Sequence, residues 1–124
     1  MRIMHYKDLR IYKLANKLRQ ELYEELIKIP RYWSIKEVGQ AIRSSSSSVS
    51  NIVEGSGRKF YQKEFFRFLS MSMASSDETQ DHVSALGSKK HLSAEKAKYF
   101  EFNYQSLSVQ TLNMMNTIKL NEGF

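Results

Sequence analysis

Apolar residues recur every three or four positions through four long segments of this chain, and no stretch alternates with the period of two that a half-buried strand needs. Over residues 8–29, Ile11, Leu14 or Ala15, Leu18, Leu22, Leu26 and Ile29 form one stripe. Asp8 is placed to cap its start, and Pro30, the sole proline, to end it. Over 34–54, Ser34-Ile-Lys-Glu37 has the capping-box pattern, and Ile35, Val38, Ile42, Ser45, Val49 and Ile52 keep the helical period. Over 62–86 the inner face reads Phe65, Phe68, Leu69, Ser72, Ser76, Thr79, Val83 and Leu86, with Gly87 as a natural stop. Over 93–119, Ser93 caps and Glu95 favours the first turn. Ala97, Phe100, Tyr104, Leu107, Thr111, Met114 and Ile118 then follow at coiled-coil spacing, with fraying expected beyond Lys119.

The run Ser44–Ser48 has the composition of a flexible linker. It is read as helix, because the apolar period resumes in phase after it. Small side chains there let a neighbouring helix come close, with hydroxyls bonding back to carbonyls one turn earlier. Four helices of this length joined by short links predict an all-α fold, an antiparallel up-down four-helix bundle in which residues 1–124 form one domain and the second and third helices meet through serines. Phe60, Tyr61, Phe66, Met71, Met73, Tyr99 and Phe102 lie off the stripes, which predicts that some of them face another subunit.

Composition narrows the setting. The chain has no cysteine, so it has neither a disulfide nor a thiolate metal site, and a reducing cytoplasmic home is expected. No apolar run approaches the roughly 20 residues that cross a bilayer, and the stretch Met1–Lys7 lacks the apolar core of a leader. Nineteen basic against thirteen acidic side chains give a net charge of +6. The charge is unevenly placed: residues 1–20 carry +5, 58–67 carry +3, 68–88 carry −3 and 89–98 carry +3. Such blocks suit a basic face with an acidic patch elsewhere, or simply a solvated basic surface.

Chemistry is thinly represented. His5, His82 and His91 sit near predicted helix ends or on a charged face, and no serine lies in a nucleophile elbow. Gly55-Ser-Gly57 is too short for a phosphate loop. Glu78, Asp81 and His82 share a helix face but do not repeat the Glu-x-x-His pattern of di-metal bundles, so solvated acids are the expectation. No enzyme, metal or cofactor is expected. Two polar groupings remain. In the first, Asn51-Ile-Val-Glu-Gly-Ser-Gly-Arg-Lys59 leads into Glu64-Phe-Phe-Arg-Phe-Leu69. Gly55 and Gly57 are expected to take positive backbone dihedrals there. Arg43, Asn51, Glu54, Arg58, Glu64 and Arg67 are expected to form a structural polar cluster, with Glu54 inside the bundle and paired to an arginine. The second is basic. Lys7, Arg10, Lys13 and Lys17 line one side of the first helix among Tyr6 and Tyr12, and Arg58, Lys59, Lys63 and Arg67 open the third. Lys7, Arg10, Lys13, Lys17, Arg58, Lys59 and Lys63 are the candidate nucleic-acid contacts. A scaffold that recruits a protein partner through exposed aromatic and methionine side chains is the alternative.

Asp8-Leu9-x-Ile11-Tyr12-x-x-Ala15, Ile29-Pro30, Gln40-x-x-Arg43, Asn51-Ile-x-Glu54-Gly55-x-Gly57-Arg58, Glu64-Phe-x-Arg67-Phe68-Leu69 and Ser75-Ser76-x-Glu78-x-Gln80 occur in order along the chain. Together they resemble the bacterial four-helix-bundle family encoded in the intervening sequences of 23S ribosomal RNA genes. The resemblance implies a four-helix protomer in a ring-shaped homopentamer. It also implies kinship with the accessory proteins of diversity-generating retroelements, which are basic rings that bind nucleic acid and a reverse transcriptase, and it brings no enzyme activity. The chain departs from the family pattern at Ile42, where a second arginine is common, at Ser44–Ser48, which replace an alanine and apolar run, at Phe60, where a small capping hydroxyl is usual, and at Tyr12, where tryptophan is usual.

Overall fold

The first helix turns Ile11, Ala15, Leu18, Leu22 and Leu26 inward, so Ala15 rather than Leu14 fills the ambiguous place in its stripe. It is α1, Arg10–Leu26, in a computed structural model that describes residues 5–122. Helices α2 (Lys36–Ser56), α3 (Gln62–Ser88) and α4 (Ala94–Glu122) follow, with 3-10 turns at Tyr6–Asp8 and Tyr32–Ser34 and no strand among the described residues. Met1–Met4, part of the stretch read above for a leader, lie outside the described residues.

Helix α1 packs against α2 and α4, and α3 packs against the same two. Contacts fall in antiparallel register. Ser44 meets Thr79 while Ser48 meets Ser76 across α2–α3. Asp77 meets Ser108 across α3–α4, and Glu21 meets Tyr99 across α1–α4. The predicted up-down four-helix bundle is therefore the fold. Leu18, Leu22, Ile52, Leu69, Leu86, Tyr104 and Leu107 are sealed in its centre. Each such side chain contributes roughly 1.5–3 kcal/mol by leaving water. On α4 the seam holds as read except that Met115, not Met114, is the buried methionine, and the helix runs on past Lys119.

The serine run is helical and mostly buried, and it forms the α2–α3 contact. Ser48 and Ser76 hydroxyls lie 2.7 Å apart, and Ser72 donates to the Ser48 carbonyl at 2.7 Å. Thr79 Oγ1 lies 2.7 Å from Ser44 Oγ, and Ser75 bonds Ser47 at 3.0 Å. Ser45 bonds back to the Ile42 carbonyl at 3.1 Å, and Ser76 to that of Ser72 at 3.1 Å. Each buried hydroxyl of this seam therefore has a partner, which is what allows a polar seam to replace an apolar one.

Local signals misplace several boundaries. Leu9, not Asp8, is the N-cap of α1, and no side chain caps it, because a 3-10 turn occupies Tyr6–Asp8. Ahead of Pro30 the chain tightens into turns, with Ile29 N–H donating to the Leu26 carbonyl, so the helix stops at Leu26 rather than Ile29. Ser34 bonds the Arg31 carbonyl instead of forming a capping box, and α2 begins at Lys36. Ser93 does cap, accepting from Lys96 N–H at 3.2 Å. The glycines serve close approach rather than unusual dihedrals. Gly57 ends α2 with φ −63°, an ordinary helical value. Gly55 lies inside α2, where a Cβ would stand 3.0 Å from Phe68 Cβ and 3.1 Å from Phe65 Cδ1. Gly87 does not stop α3, which runs to Ser88; a Cβ there would meet Ala97 Cβ at 2.7 Å. The left-handed turn residues are Arg31 and Lys90.

Candidate nucleic-acid interface

Antiparallel topology puts the start of α1, the end of α2 and the start of α3 at the same end of the bundle. Two basic segments far apart in sequence thereby lie at one end of the bundle, on helices that do not pack directly on each other. Lys7, in the 3-10 turn, and Arg10, Lys13 and Lys17, spaced three and four along α1, are all exposed. Among the described residues Lys7, Arg10 and Lys13 have no ion-pair partner, and Lys17 reaches Glu21 only at 4.0 Å. The Tyr6 ring meets Tyr12 edge-on at 5.0 Å, bracing the turn against α1.

The α2–α3 corner is organised around Phe68. Arg58 places its guanidinium 4.7 Å above the Phe68 ring, and Arg67 places its own 5.0 Å away. Arg58 donates to the Glu54 carboxylate at 2.7 Å and to the Glu54 carbonyl at 3.1 Å, and Arg67 donates to Glu64 at 3.0 Å. The charges are thus pinned by ring faces and local pairs while remaining solvent-facing. The turn itself carries Lys59, whose ammonium sits 5.6 Å from the Phe60 ring centre. Lys63 follows on the exposed first turn of α3. That helix start has no side-chain cap, so its positive dipole end faces the same region.

This arrangement corrects the expected polar cluster. Glu54 is not inside the bundle: its side chain is 57% exposed. A pair of this kind contributes about 0–1 kcal/mol, so it orients Arg58 rather than clasping the helices. Asn51 belongs to the serine seam, donating to the Ser47 carbonyl at 2.9 Å and lying 3.1 Å from its hydroxyl. Arg43 is exposed about 16 Å back along α2, at 1.5 Å rise per residue, and takes no part in the corner. The joining role of Phe68 was hidden, since the helical period assigns it only to the core.

The other end of the bundle is differently charged. Two of its lysines link helices, Lys89 bonding Glu37 at 2.9 Å and Lys96 bonding Glu25, while Arg31, Lys36, Lys90 and Lys98 are exposed there with no ion-pair partner among the described residues. The Lys96 and Lys28 hydrogen bonds hold the Glu25 carboxyl below its usual range, and Lys89 does the same for Glu37. A groove between α1 and α4 there is lined by Glu21, Glu24, Glu25 and Glu95 with Lys96 and Tyr99. Glu21 accepts from the Tyr99 hydroxyl at 2.6 Å, which favours the neutral phenol and moves its pKa above the usual value. Among the described residues no group of three or more acidic or histidine side chains could hold a metal ion. Glu78 and Asp81 are exposed on α3 with His82 half-buried beside them. No helix among the described residues is long and apolar enough to cross a membrane.

The sequence profile of the 23S rRNA-intervening sequence protein family matches residues 7–113. The chain belongs to that family. The family match takes in every basic position described above and both helices of the serine seam. A crystal structure of a protein with unknown function from the S23 ribosomal protein family of Bacteroides thetaiotaomicron has the same fold, with a TM-score of 0.75 over 85% of this chain and 97% of that one. The two are 14% identical, so the likeness speaks for the fold alone. No curated protein matches the chain.

Proposed function

We propose that this family member is a non-catalytic, self-associating helical module of the cytoplasm that holds RNA at its basic end. The observation that carries this reading is that the α1 stripe and the α2–α3 corner share one end of the bundle, since neither basic segment alone exceeds an ordinary solvated face. Phosphate is the natural partner of such a cluster. Membership of a family described by 23S rRNA intervening sequences supports RNA as the nucleic acid. Self-association is supported by the outer face of α4, where Phe102 is 74% exposed and Val109 and Leu112 follow at helical spacing. Copies assembled in a ring, such as a pentamer, would repeat the basic end and add to its affinity.

Gel shifts with an rRNA fragment across a salt series test this. With about four phosphates contacted, log K should fall against log salt with a slope of about −3, and Lys7→Gln/Arg10→Gln/Lys13→Gln should flatten that slope by about 2. Light scattering on the same samples should give a mass several times that of the 14.5 kDa chain. Absence of a complex at about 50 mM salt would refute the RNA reading, and a monomer the self-association.

A further inference from the structure

Phe60 and Tyr61 lie in the turn between α2 and α3 and are largely open to solvent, 64% and 70% exposed. Two adjacent open rings in a five-residue turn are not needed by a core already closed by Phe65 and Leu69. The turn is held rather than loose: Arg58 N–H bonds the Gly55 carbonyl at 2.9 Å, Lys59 N–H that of Ser56 at 3.2 Å, and Tyr61 N–H that of Arg58 at 2.8 Å. Gln62 also bonds back to the Lys59 carbonyl. The rings are thus presented on a fixed backbone, with the Lys59 ammonium beside Phe60 and the Arg58 guanidinium anchored on Phe68.

We infer that the basic end takes single-stranded rather than duplex nucleic acid, with unpaired bases stacking on Phe60 and Tyr61 while Lys59, Arg58 and the α1 stripe hold the backbone. The inference rests on the proposed function and names the substrate class of the same site. A duplex offers its phosphates to lysine and arginine but keeps its base faces stacked on one another, so open aromatic rings add nothing to its binding. An unpaired strand exposes base faces, and aromatic platforms set among cations are the usual means of binding it without sequence preference. Charge complementarity favours such a strand over an apolar protein segment, because the turn that carries the rings also carries Arg58 and Lys59, with the Lys59 ammonium beside Phe60 and exposed Lys63 one turn on.

Fluorescence anisotropy with a labelled uridine strand of about 12 nucleotides, and with a duplex of equal phosphate number, tests this on the full-length protein. Phe60→Ala/Tyr61→Ala should weaken the single strand by about 10- to 100-fold and leave the duplex within about twofold. Phe60→Trp should retain the affinity, and its fluorescence should be quenched by the single strand, against a background from Trp33 at the opposite end of the bundle. Equal losses on both nucleic acids, or none on either, would overturn the inference. So would a changed subunit number in the alanine variant, which would place the rings between copies. If the wild type binds both nucleic acids through Lys7, Arg10 and Lys13 and the rings make no difference, this inference alone falls. If it binds neither at low salt, the function proposed above falls with it.

Discussion

Tyr104→Ala should cost the protein about 3–5 kcal/mol of folding stability, a large part of the roughly 5–15 kcal/mol that holds a domain together. Tyr104 is fully buried on α4 and is the largest side chain so sealed. Its ring fills the bundle centre, and truncation would leave a cavity that rigid helices cannot close. Its hydroxyl has no hydrogen-bond partner among the described residues. Burial pushes the pKa of the phenol far above its usual range; the charge of Arg19 draws it partly back, and that of Glu21 adds to the rise. Tyr104→Phe should therefore be neutral or stabilising by about 1 kcal/mol, since it removes a desolvated polar group and keeps the volume. Urea unfolding of the two variants gives both numbers. A loss above about 2 kcal/mol in Tyr104→Phe would show that the hydroxyl is bonded after all.

Ser48→Leu should be the second severe substitution. Ser48 is fully buried and faces Ser76 at 2.7 Å and Ser72 at 3.5 Å across the α2–α3 contact. A leucine has no space there, and overpacking together with the lost hydrogen bond should cost about 2–4 kcal/mol. Ser48→Ala should cost only about 1 kcal/mol, because Ser76 keeps its bond to the Ser72 carbonyl. The same unfolding measurement separates them. Tolerance of leucine within about 1 kcal/mol would mean that hydroxyl size does not set the spacing of these helices.

The serine seam could be read, because Ser45, Ser72 and Ser76 stand where apolar residues are due and the period survives across them. The period itself sets Glu54 outside the bundle, against the expectation drawn from its neighbouring arginines. Glu54 follows buried Ile52 by two residues, about 200° around the helix, which turns it to solvent. Gly55 shows the converse. Three residues after Ile52 it falls on the inner face, so it marks a close contact with Phe65 and Phe68 and not the helix end that glycine often signals. Asp8 and Ser34 match capping patterns that short 3-10 turns outcompete, and such turns depend on packing that no local pattern records. The basic interface was visible as two charged segments. Their placement at one end needed the antiparallel topology, and the Arg58–Phe68–Arg67 stack needed side-chain positions.

On the proposed function, the end carrying the α1 stripe and the α2–α3 turn is the working surface. Hydrogen–deuterium exchange with and without bound RNA tests it most directly, because it reports position rather than affinity. Slowed exchange is expected in residues 6–13 and 57–63, with little change at the links 27–35 and 89–93. Protection centred on those far links, or bound RNA with no protection at the basic end, would contradict it.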